Sequence, residues 1–156
     1  MQTTKIMKSP IIKYLLIVLL MLIVILMFSM PISTYGQLPK TQKQGEIVYI
    51  TGGVGEGESK AIREDAKNWP LIIDFSQYLE NRDAWISQVY LRILDAKGNG
   101  IFEVTTDGPL LLLKMPSGNY VLMATYEGVT KTQKIQIVDG KPLRISLNWR
   151  LPKSSN

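Results

Sequence analysis

From Leu71 to Trp149 the chain breaks into short pieces in which apolar and polar residues alternate, with a turn signal about every 8–12 residues. This rhythm constrains the fold more than any other feature. A period of two places one set of side chains on a core face and the other in water, which suits a strand and not a helix. Leu71, Ile73 and Phe75 alternate with Ile72, Asp74 and Ser76. Gln77 to Ala84 is rich in charge and reads as a loop. Trp85 to Asp95 reads as one strand, with Val89, Leu91 and Ile93 opposed to Tyr90 and Arg92. Ala96-Lys97-Gly98-Asn99-Gly100 is a hairpin turn, and Ile101 to Thr106 returns with Phe102 and Val104 inward. Asn119 to Tyr126 and Val129 to Val138 flank the tight turn Glu127-Gly128. After Asp139-Gly140-Lys141-Pro142, the residues Leu143, Ile145, Leu147 and Trp149 alternate with Arg144, Ser146 and Asn148. The expectation is a mainly β chain, an antiparallel β-sandwich of about seven to eight strands, with no strand-and-helix rhythm of a parallel sheet.

One stretch departs from the alternation. Asp107 to Tyr120, DGPLLLLKMPSGNY, holds four consecutive leucines between two turn signals. Leu111, Leu113 and Met115 share one face, and Leu110, Leu112 and Lys114 the other. A strand apolar on both faces should be covered on both. Either the short helix or the leader packs over Leu110 and Leu112, or these two leucines form an exposed patch where a partner docks.

Upstream, Glu46 to Thr51 reads as a strand leading into Gly52-Gly53-Val54-Gly55-Glu56-Gly57-Glu58. Gly52 and Gly57 have the spacing of a phosphate-binding loop. Glu58 stands where such a loop needs lysine, however, and Glu56 adds a second carboxylate that would repel phosphate. A strand-to-helix turn is the simpler reading. Ser59 to Asn68 is a short helix in which Ala61, Ile62, Asp65 and Ala66 share one side, so its apolar face is thin, and Pro70 stops it. Gln37 to Gly45 is polar and reads as a flexible leader, so the domain is placed at 46–150 and a disordered tail at 151–156.

Residues 1–36 read as an address. Lys5, Lys8 and Lys13 precede the uncharged run Tyr14 to Phe28, and Ser29, Pro31, Ser33, Thr34 and Gly36 follow it. A basic start, an apolar centre and a small-residue exit make a secretory signal, cleaved after Gly36. The alternative is an uncleaved anchor over residues 14–32, close to the ~20 residues that span a bilayer. Either reading places the rest of the chain outside the cytoplasm: periplasmic or secreted if cleaved, held in the inner membrane if not. The three lysines also explain much of the net charge of +5: without them 15 basic residues face 13 acids, leaving +2. That excess, with no basic cluster interleaved with aromatics, argues against nucleic acid as a partner.

The 156 residues include no cysteine and no histidine. This excludes disulfides, thiol nucleophiles, a lipoprotein attachment site and imidazole as base or metal ligand. No cofactor-binding pattern is present. Asp95, Asp107 and Asp139 each open a separate turn, which suits an Asp bonding its own backbone better than a calcium site. Tyr120, just after Gly118, is expected to pack at a corner with its hydroxyl on a backbone carbonyl. Trp69, Trp85 and Trp149 are read as core or edge residues; a sugar platform would need such rings exposed and coplanar. Glu103 and Asp107 are the nominal carboxylate pair for a hydrolase.

Val89 to Gly140 resembles the carboxypeptidase regulatory-like domain, a transthyretin-like (prealbumin-like) sandwich. The anchors are Asp95 and Gly98, Asp107 and Gly108, Pro116, Gly118 and Tyr120, and Gly128. These are turn residues, so the resemblance speaks to fold and implies no catalytic residue. The glycine loop, the short helix and Trp149 further resemble small exported bacterial proteins that carry this domain alone. The resulting expectation is a non-enzymatic exported module with a structural or binding role towards an envelope protein or ligand. The alternatives are a membrane-anchored accessory subunit and a small carboxylate-based envelope hydrolase.

Overall fold

The computed structural model describes residues 10–28, 36–79 and 81–150. The chain forms two units, one up to Thr34 and the other from Tyr35. The first holds the helix α1 (Pro10–Phe28), whose only charged residue is Lys13. Its described side chains, from Ile11 to Ile25, are almost all exposed. A helix apolar on every side has no face suited to water. Among the described residues no helix is long and apolar enough to cross a membrane. The exit expected at Ser29 to Gly36 lies outside the described residues except for Gly36, and so does the tail expected at 151–156.

The second unit is mainly β. In chain order its elements are β1 (Gln42–Gln44), β2 (Ile47–Gly52), α2 (Glu56–Asp65), a 3-10 turn (Ala66–Asn68), β3 (Leu71–Leu79) and β4 (Arg82–Trp85). There follow β5 (Tyr90–Leu94), β6 (Gly100–Thr105), β7 (Leu110–Lys114), β8 (Gly118–Tyr126), β9 (Val129–Ile137) and β10 (Leu143–Trp149). The first sheet runs β1-β2-β7-β3-β10, with β4 folded back onto the far half of β3. The second runs β6-β5-β8-β9. One core takes side chains from both sheets: Ile73, Phe75, Leu111 and Trp149 from the first, Leu91, Ile93, Leu122 and Ile137 from the second. This arrangement is compatible with the expected sandwich.

A smaller core lies on the opposite face of the first sheet. Ile62 of α2, with Ala66 and Trp69, packs on Ile50, Ile72, Leu110 and Leu112. Leu110 and Leu112 are 1% and 0% exposed. The reading of these two leucines as a partner surface is therefore overturned. The short helix covers them, and β7 is central because both its faces are apolar.

Five further expectations need correction. The last strand is not antiparallel to its neighbour: β10 lies parallel to β3, Ile145 beside Ile73 and Leu147 beside Phe75. Alternation sets which face a residue takes, not the direction of its strand. The presumed loop Gln77 to Ala84 is a hairpin, β3 and β4 pairing Ser76 with Trp85 and Tyr78 with Asp83. The presumed single strand Trp85 to Asp95 is broken, since β4 belongs to the first sheet and β5 to the second. Gln88, at φ 60°, turns the chain between them, and its N–H donates to the Thr106 carbonyl at 2.8 Å. Finally, the leader is not free of structure, because β1 pairs with β2, Gln42 opposite Tyr49. The Gln42 side chain also accepts the Tyr49 hydroxyl at 2.8 Å, and Gln44 accepts the Glu103 N–H of β6 at 2.9 Å. Helix α2 begins at Glu56 rather than Ser59, with Glu56 and Glu58 in its first turn, where the helix dipole favours acids.

Candidate functional site

The turn residues singled out in the sequence act locally. Asp95 opens the β5–β6 turn by accepting the N–H groups of Lys97 and Asn99, each at 2.8 Å, and the Asn99 amide at 3.0 Å. These bonds, the Asn99 amide first, hold its carboxyl below the ordinary aspartate range. Gly98 and Gly128 take positive φ in their turns. Asp139 accepts the N–H of Gly140 at 3.1 Å. Asp107 differs: its N–H donates to Thr51 Oγ1 at 3.0 Å, tying the β6–β7 turn to β2. Gly108 lies against the backbone of Gly52, and a Cβ there would overlap the Gly52 carbonyl.

Pro116, Gly118 and Tyr120 form one device. The Tyr120 hydroxyl donates to the Pro116 carbonyl at 2.9 Å. The ring lies over Gly118, where a Cβ would stand 3.2–3.3 Å from its hydroxyl end. Burial pushes the phenol pKa up. Asp95, Gly98 and Tyr120 also border a concavity of about 590 Å³, with Lys97, Lys134 and Gln136. Asp107, Gly108, Pro116, Gly118 and Gly128 do not line it. The nominal carboxylate pair is engaged differently at its two members. Glu103 accepts the Tyr90 hydroxyl at 2.9 Å, which raises that phenol's pKa, and Asp107 sits at its turn. Among the described residues no group of three or more acids comes together as a metal site would require.

A second constellation was missed in the sequence because its residues fell in the presumed loop and on the wet side of two strands. It occupies the outer face of the first sheet beside the part that α2 covers. Residues two apart on a strand, and partners across a ladder, share a face. Asp74, Ser76 and Tyr78 of β3 therefore face the same way as Asp83 and Trp85 of β4 and Arg144, Ser146 and Asn148 of β10. Asp74 is buried and accepts Arg144 Nη1 at 3.3 Å on both oxygens and the Ser146 hydroxyl at 3.2 Å. The Asn148 amide donates to Ser76 Oγ and to Asp83 Oδ1, both at 2.9 Å. Beside this network two aromatic residues stay open: Trp85 is 60% exposed and Tyr78 40%. The Arg63 guanidinium of α2 lies 5.0 Å from the Trp85 ring centroid, and that of Arg150 lies 4.9 Å from the Tyr78 ring. The usable sequence signal was the presence of Tyr78 and Trp85 on either side of a short polar stretch.

The three tryptophans thus have different fates. Trp149 is fully buried and donates its indole N–H to the Val129 carbonyl at 2.9 Å. Trp69 closes the small core and donates to Asp65 at 2.7 Å. Trp85 alone of the three lies open. No model of a known protein family matches the chain, and no curated protein matches it.

Proposed function

We propose that the chain is an exported, non-enzymatic binding module: a transthyretin-like β-sandwich carried behind an apolar segment that takes it out of the cytoplasm. The observation that carries the binding role is the outer face of the first sheet. There α2 seals one half and leaves the other open, with two aromatic rings beside fixed polar groups. Two sheets sharing a core, and the Tyr120 corner, support the resemblance to the carboxypeptidase regulatory-like domain. The carboxylates of Asp65, Asp74 and Asp95 are committed to hydrogen bonds with neighbouring side chains or turn N–H groups, which supports a structural over a catalytic use. The reading calls for no cofactor and takes an envelope protein or ligand as partner.

A second reading, an accessory subunit held in the membrane by residues 14–32, is favoured by one observation: α1 is apolar around its whole circumference. Identifying the mature terminus separates the two. A terminus at Gln37 on protein recovered outside the cytoplasm supports the exported module. A terminus before Tyr14 on membrane-bound protein supports the anchored subunit. Protein recovered with the cytoplasmic fraction overturns both.

A further inference from the structure

We infer that the open half of the first sheet's outer face, built on Tyr78, Asp83, Trp85 and Asn148, is a platform for an uncharged glycan chain. The inference rests on the binding-module reading and names its ligand class. Three observations carry it. First, a tryptophan and a tyrosine lie open on one face of a hairpin. Trp85 stands opposite Ser76, so Tyr78 is its diagonal neighbour, about 7–8 Å away by ladder geometry. Exposed aromatic surface of this kind is offset when a flat apolar face stacks on it, and the C–H face of a pyranose ring is such a surface.

Second, the polar groups beside the rings are preorganised and only part-used. Asn148 spends its N–H donors on Ser76 and Asp83, which leaves its Oδ1 available. Asp83 accepts on Oδ1, which leaves Oδ2. The Tyr78 hydroxyl both donates and accepts. Sugar hydroxyls do the same, so each of these positions has a complement on a polyhydroxylated ligand. The groups sit on strands and are held by one another, so little side-chain entropy is lost on binding.

Third, the charge pattern selects an uncharged ligand. Asp74 and Asp83 share the face with Arg63, Arg144 and Arg150. Asp74 is buried and paired with Arg144, so an acidic ligand meets the Asp83 carboxylate and a basic one meets the guanidinium groups of Arg63 and Arg150, whereas a neutral glycan meets neither penalty. Arg63 and Arg150 brace the rings, and the exposures of Trp85 and Tyr78 are those that remain with both arginines in place. The face is open rather than enclosed, which suits a chain lying across it.

The test uses the full chain in a detergent without a sugar headgroup, titrated calorimetrically with cellohexaose, maltohexaose and chitohexaose. Trp69 and Trp149 are buried, so Trp85 is the fluorescence reporter. At least one hexasaccharide is expected to bind saturably and to shield Trp85 from acrylamide quenching. Trp85→Ala and Asn148→Ala are each expected to weaken binding about tenfold with the melting transition retained, while Val54→Ala, exposed and remote in sequence, binds as the parent does. Absence of saturable binding to all three, or unchanged affinity in both variants, overturns the platform. So does binding of hexagalacturonate in place of the neutral chains. Chromatography of the same mixtures separates the two levels of inference. Shortened oligosaccharides overturn the non-enzymatic reading, whereas intact oligosaccharides that fail to bind overturn the platform alone.

Discussion

At the residue scale, most of the polar side chains discussed above are explained by what they hold. Tyr120 shows the economy of the turn chemistry: its hydroxyl satisfies the Pro116 carbonyl and its ring fills the space that Gly118 leaves open. Tyr120→Phe keeps the ring and removes one hydrogen bond, so it should cost on the order of 1 kcal/mol in denaturant unfolding. A loss within error of zero would show that water replaces the bond at no cost. Asp65 is a second clasp, accepting the Trp69 indole and the Asn68 amide, both at 2.7 Å. Those two donors, the indole first, hold its pKa below the ordinary 3.8. A carboxylate depressed in the folded state contributes stability above its unfolded pKa and loses it as pH falls through the folded one. Wild-type melting temperature should therefore drop from about pH 3.8 downward by more than that of Asp65→Ala, whose acid limb is flatter. Parallel acid limbs for the two proteins would contradict the assignment. The corner and the Asp95 turn were legible in advance because their chemistry is local, spanning four residues in each case. Asp74 was not legible: its partners Arg144 and Ser146 lie about seventy positions away, and nothing in the alternation pairs β3 with β10.

At the scale of elements, α2 decides what the quadruple leucine of β7 does. Leu111 and Leu113 enter the main core, and Leu110 and Leu112 enter the small one beneath Ile62. Ile62 is 1% exposed and is the only buried side chain within α2, so the helix is docked largely through that residue. Ile62→Ala removes it from a closed cluster and should cost about 2–4 kcal/mol, read as a shifted urea midpoint at unchanged slope. A cost well under 1 kcal/mol would mean that α2 is held chiefly by the Trp69 clasp. Both expectations for Leu110 and Leu112 fitted the sequence, because a double-faced apolar strand demands a cover without naming it. The strands with clean alternation, β3, β5 and β10, were legible. β1 and β4 were not, since Gln42–Gln44 and Arg82–Trp85 carry no apolar period and are strands only because β2 and β3 offer them an edge. The glycan platform was hidden for the same reason.

At the scale of the molecule, the two units differ in what each asks of its surroundings. Every residue of both cores comes from Ile47 or later. The helix α1 belongs to the other unit, and its residues are apolar apart from Lys13 and Tyr14. The net charge follows the same division, +5 for the whole chain and +2 from Gln37 onward. A chain beginning at Gln37 keeps β1, both sheets, α2 and both cores. It should therefore stay soluble without detergent and melt in one cooperative transition, within about 2 °C of the full chain in detergent. The parallel pairing strengthens this expectation. β10, the last strand among the described residues, closes the first sheet against β3, delivering Ile145, Leu147 and Trp149 to the main core. Its partner β3 lies about seventy positions earlier, so this pairing is a long-range contact of the kind that slows folding. A shortened chain that aggregates, or that loses its cooperative transition, would show that residues 1–36 supply part of the folded unit. A cooperative, unshifted transition would place stability wholly in the two sheets and leave the apolar segment to delivery or attachment alone.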